Sequence, residues 1–460
     1  MANTSQDGIT RAGDVRIEKL TLISSENKSI DLSEFLVELN IYEDIFSNYL
    51  RGNIVLTDSR NLIEKLNIHG EEVLIVKIKT PSLGEESVIK KTFRTFKISD
   101  RKIVRDNNTQ NFIIHFVSAE LYVDVLLPLF TPFEGDIETV VENLFTNYIA
   151  TNTQFELSED GREVKVKPDL SPLIILNGVS NKVKFVSPGW SPFKCINWLA
   201  SKAIPTDGNA KNFLFFESSK AFYFGSIEFI FKNAIENNNI IGTYSVAASN
   251  LTGNDNKKNL SREYFLAKDV EMVSTVDQIQ NFTNGFLANR LIYLDVHNKI
   301  YDLIDYDYVD EYKNQFHSSG KGEDAIPPFS TNSLRNFATN ISFYPKNPKL
   351  FDGFSDNINE KMDVIYGNRK SSLLDLSNLK MNITVPGRTD VEVGRLLYFL
   401  YPSLGGKAES DNTSSELQQD KLYSGYYLIT AINHRINRHE HSMTMEIVKD
   451  SLNVNNLSKK

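Results

Sequence analysis

The chain has 460 residues and a mass of 52.3 kDa, more than one hydrophobic core usually serves, so about two to four domains are expected. Its net charge of −9 and pI near 5.5 argue against sequence-independent nucleic-acid binding, but suit the wall of a channel through which DNA slides. With 41% hydrophobic and 24% charged residues, disorder is excluded for most of the length, and 29 Phe and 19 Tyr favour β structure.

The one cysteine, Cys195, can form no intrachain disulfide, which points to folding in a reducing compartment. The first eight residues lack the charged-then-apolar pattern of an export signal, and no apolar run reaches the roughly 20 residues that span a bilayer. A soluble chain without a cleaved signal, and without a membrane partner, is expected.

Residues 1–14 are polar and read as a loose arm. From Val15 the pattern turns to period two, with Ile17, Leu20 and Leu22 in one run and Phe35, Val37, Leu39 and Ile41 in the next, joined by a turn at Asn27-Lys28. Residues 42–46 break the alternation, 52–58 resume it, and 61–68 read as a short helix ended by Gly70. Strands at 73–78, 93–98 and 112–117 complete a first β module ending near Leu121. The texture then becomes α+β. Asp136 can cap a helix carrying Ile137, Val140, Val141, Leu144 and Tyr148, and a second helix opens at Ser191-Pro192 and stops before Pro205. Residues 213–216 and 222–231 read as aromatic strands, and 250–262 as an Asn-rich linker. A second β module begins near Phe282, is interrupted by an insertion at 314–377, and resumes with strands at 381–385, 396–400, 426–432 and 443–448. The stretch 405–419 reads as a mobile loop and 453–460 as a polar tail.

Pro81-Ser82-Leu83-Gly84 returns as Pro402-Ser403-Leu404-Gly405, each time after an apolar run and before two strands joined by a basic turn. Asn27-Lys28-Ser29-Ile30-Asp31-Leu32 is echoed by Asn298-Lys299-Ile300-Tyr301-Asp302-Leu303, with about 50 extra residues between the markers of the second copy. Two matches in the same order indicate one β module duplicated within the chain. Three copies of such a chain present six similar modules, a ring able to meet a hexamer at one end and a trimer at the other.

Few constellations suggest chemistry. His439 and His441 stand two apart, a metal-ligand spacing with His434 in reach, but no cysteine completes a set. A solvated hairpin tip is expected there. Asp302, Asp305, Asp307, Asp310 and Glu311 interleave with Tyr301, Tyr306, Tyr308 and Tyr312, yet the glycine of a calcium loop is missing. A strand pair or turn with one acidic face is the better reading. Cys195, among Phe193, Ile196 and Leu199, reads as a small core residue. No phosphate-cradling glycine loop, nucleophile elbow or zinc-protease histidine pair occurs, so no catalytic, cofactor-binding or metal residue is expected and the chain reads as no enzyme.

The runs Phe35-Leu36-Val37-Glu38-Leu39-Asn40-Ile41-Tyr42-Glu43-Asp44-Ile45-Phe46 and Leu50-Arg51-Gly52-Asn53-Ile54-Val55-Leu56-Thr57-Asp58-Ser59 resemble the opening of the baseplate central hub proteins of T4-like contractile-tailed phages. So do Ser191-Pro192-Phe193 with Trp198-Leu199-Ala200, the aromatic stretch 213–231, and Ser424-Gly425-Tyr426-Tyr427-Leu428-Ile429-Thr430 with Val448-Lys449-Asp450-Ser451. That family is related to the spike hubs of type VI secretion. The resemblance implies a β-rich α+β chain with two tail-tube-like β-barrel modules and an intervening α+β domain. Its boundaries would be an arm at 1–14, a first barrel at 15–121, a middle domain at 122–240, a second barrel at 241–313 and 378–452 split by the 314–377 insertion, and a tail at 453–460. It further implies a homotrimer forming a pseudo-hexameric ring in the virion, assembled in the host cytoplasm. The implied partners are the central spike, the tail tube, the tape-measure protein and the baseplate wedges, with DNA passing through an acidic or neutral lumen without specific binding. Two alternatives stay open: a protein-delivering injection system of the same build, and a tail-associated cell-wall hydrolase or adhesin.

Overall fold

In the computed structural model of the chain, the described residues run from 11 to 453, leaving aside 27, 82, 85–86, 105–108, 154–156, 160–161, 165–170, 207–211, 247–261, 275–276, 297–298, 322–324, 327–339, 346–361, 404–419 and 421. The loop expected at 405–419 and parts of all four marker tetra- and hexapeptides lie outside them.

A first strand set comprises β1 (Arg16–Ile23), β2 (Ser29–Asp31), β3 (Leu36–Asp44), β4 (Arg51–Asp58), the short helix α1 (Leu62–Lys65), β5 (Val73–Lys79), β6 (Ile89–Val104) and β7 (Thr109–Ser118). The period-two pattern buries one face of these strands: Leu20, Leu22, Leu39, Ile41, Ile54, Leu56, Leu74, Val76, Phe112, Ile114 and Phe116 share one core.

The middle part follows with α2 (Ala119–Leu126), β8 (Pro132–Asp136), and α3 (Ile137–Asn143) running on as a π-helix (Leu144–Ala150). Next come β9 (Leu157–Glu159), β10 (Arg162–Val164), β11 (Leu173–Ile175), β12 (Lys182–Val186), α4 (Pro192–Ala200), β13 (Phe213–Glu217), β14 (Phe222–Ser226) and α5 (Ile227–Glu236). Ser191 caps α4 by accepting from the Lys194 N–H, as its sequence suggests. The strand expected over 222–231 stops early. Ser226 accepts from the Phe229 N–H and starts α5, whose Ile227, Ile230, Phe231 and Ala234 recur at helical spacing on a buried face.

The remainder holds β15 (Ile240–Val246), β16 (Leu266–Ala267), β17 (Asp269–Ser274), α6 (Gln278–Asn284), β18 (Ala288–Asp295), β19 (Ile300–Asp307), α7 (Tyr308–Tyr312), β20 (Phe316–His317), β21 (Gly320–Lys321), β22 (Ala325–Ile326), β23 (Asn340–Pro345) and α8 (Met362–Asp375). Last come β24 (Leu379–Pro386), β25 (Leu396–Leu400), β26 (Gly425–Ile436), β27 (His441–Lys449) and β28 (Leu452–Asn453).

The pairing carries a repeat. Across the first set the neighbours run β1-β5-β6-β7-β4-β3, and across the last they run β15-β25-β26-β27-β24-β17. Five strands match in order and in antiparallel sense. The sixth keeps its place but is reversed, since β1 is antiparallel to β5 and β15 parallel to β25. Even a bulge recurs: pairing slips between Thr95 and Lys97 in β6 and between Ile429 and Ala431 in β26. The hairpin echo at Asn298 is different. There β18 and β19 join β23 in a sheet of their own, so that sequence match does not mark the repeat.

The protein is β-rich, and both strand sets belong to one mixed sheet of 14 strands rather than to two separate closed barrels. The join is β3 with β26, antiparallel over Leu39–Asp44 and Ala431–Ile436. Each stretch would otherwise leave a row of backbone N–H and C=O groups unpaired, and pairing the two satisfies both within one chain.

Candidate assembly seam

The β3–β26 join has three components beyond its backbone ladder. Outside, Arg435 forms an ion pair with Glu38 at 2.6 Å, and Arg438 donates to the carbonyls of Leu36 and Glu34. Beyond the last ladder pair the Ile45 N–H donates to the Thr430 carbonyl at 2.9 Å, and the Ile45 side chain enters the core of the last strand set. Inside sits a fully buried polar cluster. His434 Nδ1 and His441 Nε2 lie 3.1 Å apart, and His434 Nε2 is 3.2 Å from Glu43 Oε1.

Burial opposes the charge on Glu43, but the hydrogen bond and charge of His434 outweigh it, helped by the Val393 N–H at 3.2 Å. Its carboxyl is held below the usual range. Burial, with His434 alongside, pushes His441 well below the ordinary histidine value, so that ring is neutral. The close fit is visible at Gly387, where a Cβ would lie 2.1 Å from the His441 ring. A charged acid, a histidine able to bond it and a second, neutral histidine thus hold the middle of the join.

Two further buried ionic clusters pin other parts of the chain. Lys91 of β6 meets Glu217 of β13 at 2.8 Å, with both side chains out of water. Glu217 also accepts from the Leu50 N–H at 2.9 Å and from the Ser118 hydroxyl. Nearby Glu120 is pushed up to about 7, first by burial and then by the charge of Glu217. At the other end His317 Nδ1 lies 3.0 Å from Asp450 Oδ2, and Tyr308 donates to Asp375 at 2.9 Å. Burial opposes the His317 charge, yet Asp450 raises its pKa overall, and His317 in turn holds Asp450 low. Asp375 goes the other way, lifted to about 8 by burial and then by Asp450.

Of the residues singled out in the sequence, His434 and His441 are brought together, but not at a solvated tip. Only His439 is exposed there. The reason is register: His434 and His441 flank the β26–β27 turn in inward phase, where His434 meets β3 through Glu43 and His441 packs against His434 and Gly387. Among the described residues no group of three or more His, Cys, Asp or Glu is placed to hold a metal. The Asp/Tyr run divides between β19 and α7. Asp305 makes a two-pronged pair with Arg290 at 2.5 and 2.8 Å, Asp307 caps α7, and Tyr308 and Tyr312 are buried. Cys195 is buried in the middle core, where burial raises its thiol pKa. The sequence reading missed Glu43, Lys91, Glu217, His317 and Asp450. A signal existed for Lys91, a charge at the inward phase between Ile89 and Phe93, and for Glu217, which follows Phe213 and Phe215 in the same phase.

The chain's fold is similar to that of a solved tail protein. The tail protein from Neisseria meningitidis MC58 shares it at a TM-score of 0.50 and 9% identity, over 94% of this chain and 96% of that one. The 43 kDa tail protein of prophage MuSo2 from Shewanella oneidensis aligns at 0.46 and 9% identity, over 94% and 98% of the two chains. Prophage tail protein gp18 from Listeria monocytogenes EGD-e aligns at 0.43 and 9%, over 94% of each. No family model matches the sequence, and no curated protein is similar to it. Among the described residues no helix is long and apolar enough to cross a membrane.

Proposed function

We propose that this chain is a structural hub of a contractile phage-tail baseplate, in which three copies form a six-module ring between the sixfold tail tube and the trimeric spike. The observation that carries this reading is the strand order repeated in the two sets. A chain with two like modules supplies sixfold pseudosymmetry at threefold stoichiometry. Each set would be one barrel-like module. In support, the Leu32 N–H donates to the Leu20 carbonyl of β1, and β16 pairs with β15 in the corresponding place. On this reading the second module is β15–β17 plus β24–β27, and the unit inserted between Ser274 and Leu379 faces other baseplate components. The ring would contact the spike, the tube, the tape-measure protein and the wedges, and its lumen would pass DNA without reading it.

The test is solution mass together with negative-stain imaging, on the chain alone and co-expressed with its spike. Three copies of 52.3 kDa in a ring with six lobes are expected. A single copy in both preparations, or a closed dimer or tetramer, refutes the reading.

A further inference from the structure

The internal seam has two counterparts that the chain leaves open. By strand order β17 stands where β3 stands, and β6 stands where β26 stands. In the seam, β25 covers the start of β26 up to Leu428, the bulge follows, and β3 takes over from Ala431. In β6 the neighbour β5 stops at Arg94, the bulge follows, and beyond it β7 is the one strand paired with β6 among the described residues. In the same way β17 pairs with β24 and, among the described residues, with no other strand.

Charge and shape agree. The seam sets the acidic β3 (Glu38, Glu43, Asp44) against Arg435 of β26 and Arg438 of the turn after it. Of the two open counterparts, β17 carries Asp269 and Glu271, while β6 beyond its bulge carries Arg101 and Lys102, with Asp100 beside them. Just past β3, Ile45 fills the core beside the bulge. Just past β17, Ile279 of α6 is 80% exposed. Beside the β6 bulge lies an apolar groove of about 430 Å³ between Phe96, Val117, Leu121, Val125 and Leu126, in which Phe96 is 50% and Val125 and Leu126 are each 71% exposed.

We propose that β17 of one copy adds antiparallel to β6 of the next, beyond the bulge, and places Ile279 in the groove beside Phe96. This is the internal seam repeated between chains. A head-to-tail contact of this kind closes when its rotation returns to the start, so each chain would carry one seam inside itself and share one with each neighbour. The proposal rests on the ring reading and names the partner surface as a second copy of this chain.

The register of the internal seam, with Tyr42 opposite Asn433, places Ser274 opposite Ser99. The full chain carrying Ser99→Cys and Ser274→Cys should therefore oxidise to covalent dimers and trimers that reductant collapses, since native Cys195 is buried. A control pair, Ser99→Cys with Ser29→Cys on the far edge strand β2, should stay unlinked. Glu271 then falls opposite Arg101, as Asn40 falls opposite Arg435 in the internal seam, so adding Glu271→Lys should cut the linked yield about tenfold and adding Arg101→Glu to that variant should restore it. If native chains have a three-copy mass but the 99–274 pair does not link, the seam is overturned and the ring stands. If mass and linking both report single chains, both fall. Equal linking by the control pair also overturns the seam, as random collision.

Discussion

Replacing Lys91 with methionine leaves Glu217 buried without its cation. The two groups are 2.8 Å apart, with side chains 5% and 0% exposed. At an effective dielectric of about 20 such a pair attracts by roughly 6 kcal/mol, and removing one member of a buried pair costs about 3–5 kcal/mol. We expect K91M to lose about 3–5 kcal/mol of stability at pH 8, and less at pH 6. Glu120, with a pKa of about 7, takes up a proton over that interval and relieves the repulsion from Glu217. The double variant K91M/E217Q keeps an acceptor for the Leu50 N–H and the Ser118 hydroxyl, and should recover at least about half of the loss. Urea unfolding followed by fluorescence of Trp190 and Trp198, both packed against the middle core, reads the effect. A single variant within about 1 kcal/mol of the parent, or a double no better than the single, would refute the reasoning.

Two pH responses follow from the other clusters. His441 is neutral when folded and has its pKa far below 6.5, whereas the unfolded ring takes up a proton near 6.5. Its share of stability is therefore present above that value and falls as pH drops below it, by up to about 1.4 kcal/mol per unit. H441Q should flatten the acid limb of a thermal-melting profile between pH 6.5 and 5, and parallel profiles would contradict this. Asp375 holds its proton to about pH 8 when folded but releases it near 3.8 when unfolded. Its contribution is full below about pH 4 and declines as pH rises to 8. D375N, which keeps partners for Tyr308 and Asn378, should gain on the parent steadily over that range in urea melts. A D375N protein that loses ground with rising pH would count against the assignment.

The strands were legible where one face is apolar and the other wet. The runs of β4, β7 and β27 fall where alternation placed them, because a two-residue period has one way to bury its apolar members. In β3, by contrast, a slip between Leu36 and Glu38 buries Leu36, leaves the expected inward Val37 47% exposed, and lets the strand run on to Asp44 through the expected break at 42–46. The tetrapeptide repeat pointed at true counterparts, since it follows β5 in one set and β25 in the other. The hexapeptide echo misled because a polar turn between apolar runs is the signature of any hairpin, and β18–β19 is one. Residues 227–231 could have been either strand or helix by composition, and Ser226 as a cap decided it. The seam was not legible in the sequence. Glu43 and His434 are 391 positions apart, and neither spacing nor composition says which strand edges will meet.

The meeting of β3 and β26 also sets a schedule. Leu39–Asp44 leaves the ribosome roughly 390 residues before its partner Ala431–Ile436 is made. At about 5–20 residues per second that is a wait of roughly 20–80 s with an unmated border. The acids Glu38, Glu43 and Asp44 along that border give the nascent half mutual repulsion against its own copies during the interval. The same carboxylates that later clasp Arg435 and His434 would thus first serve as guards against premature association on the polysome.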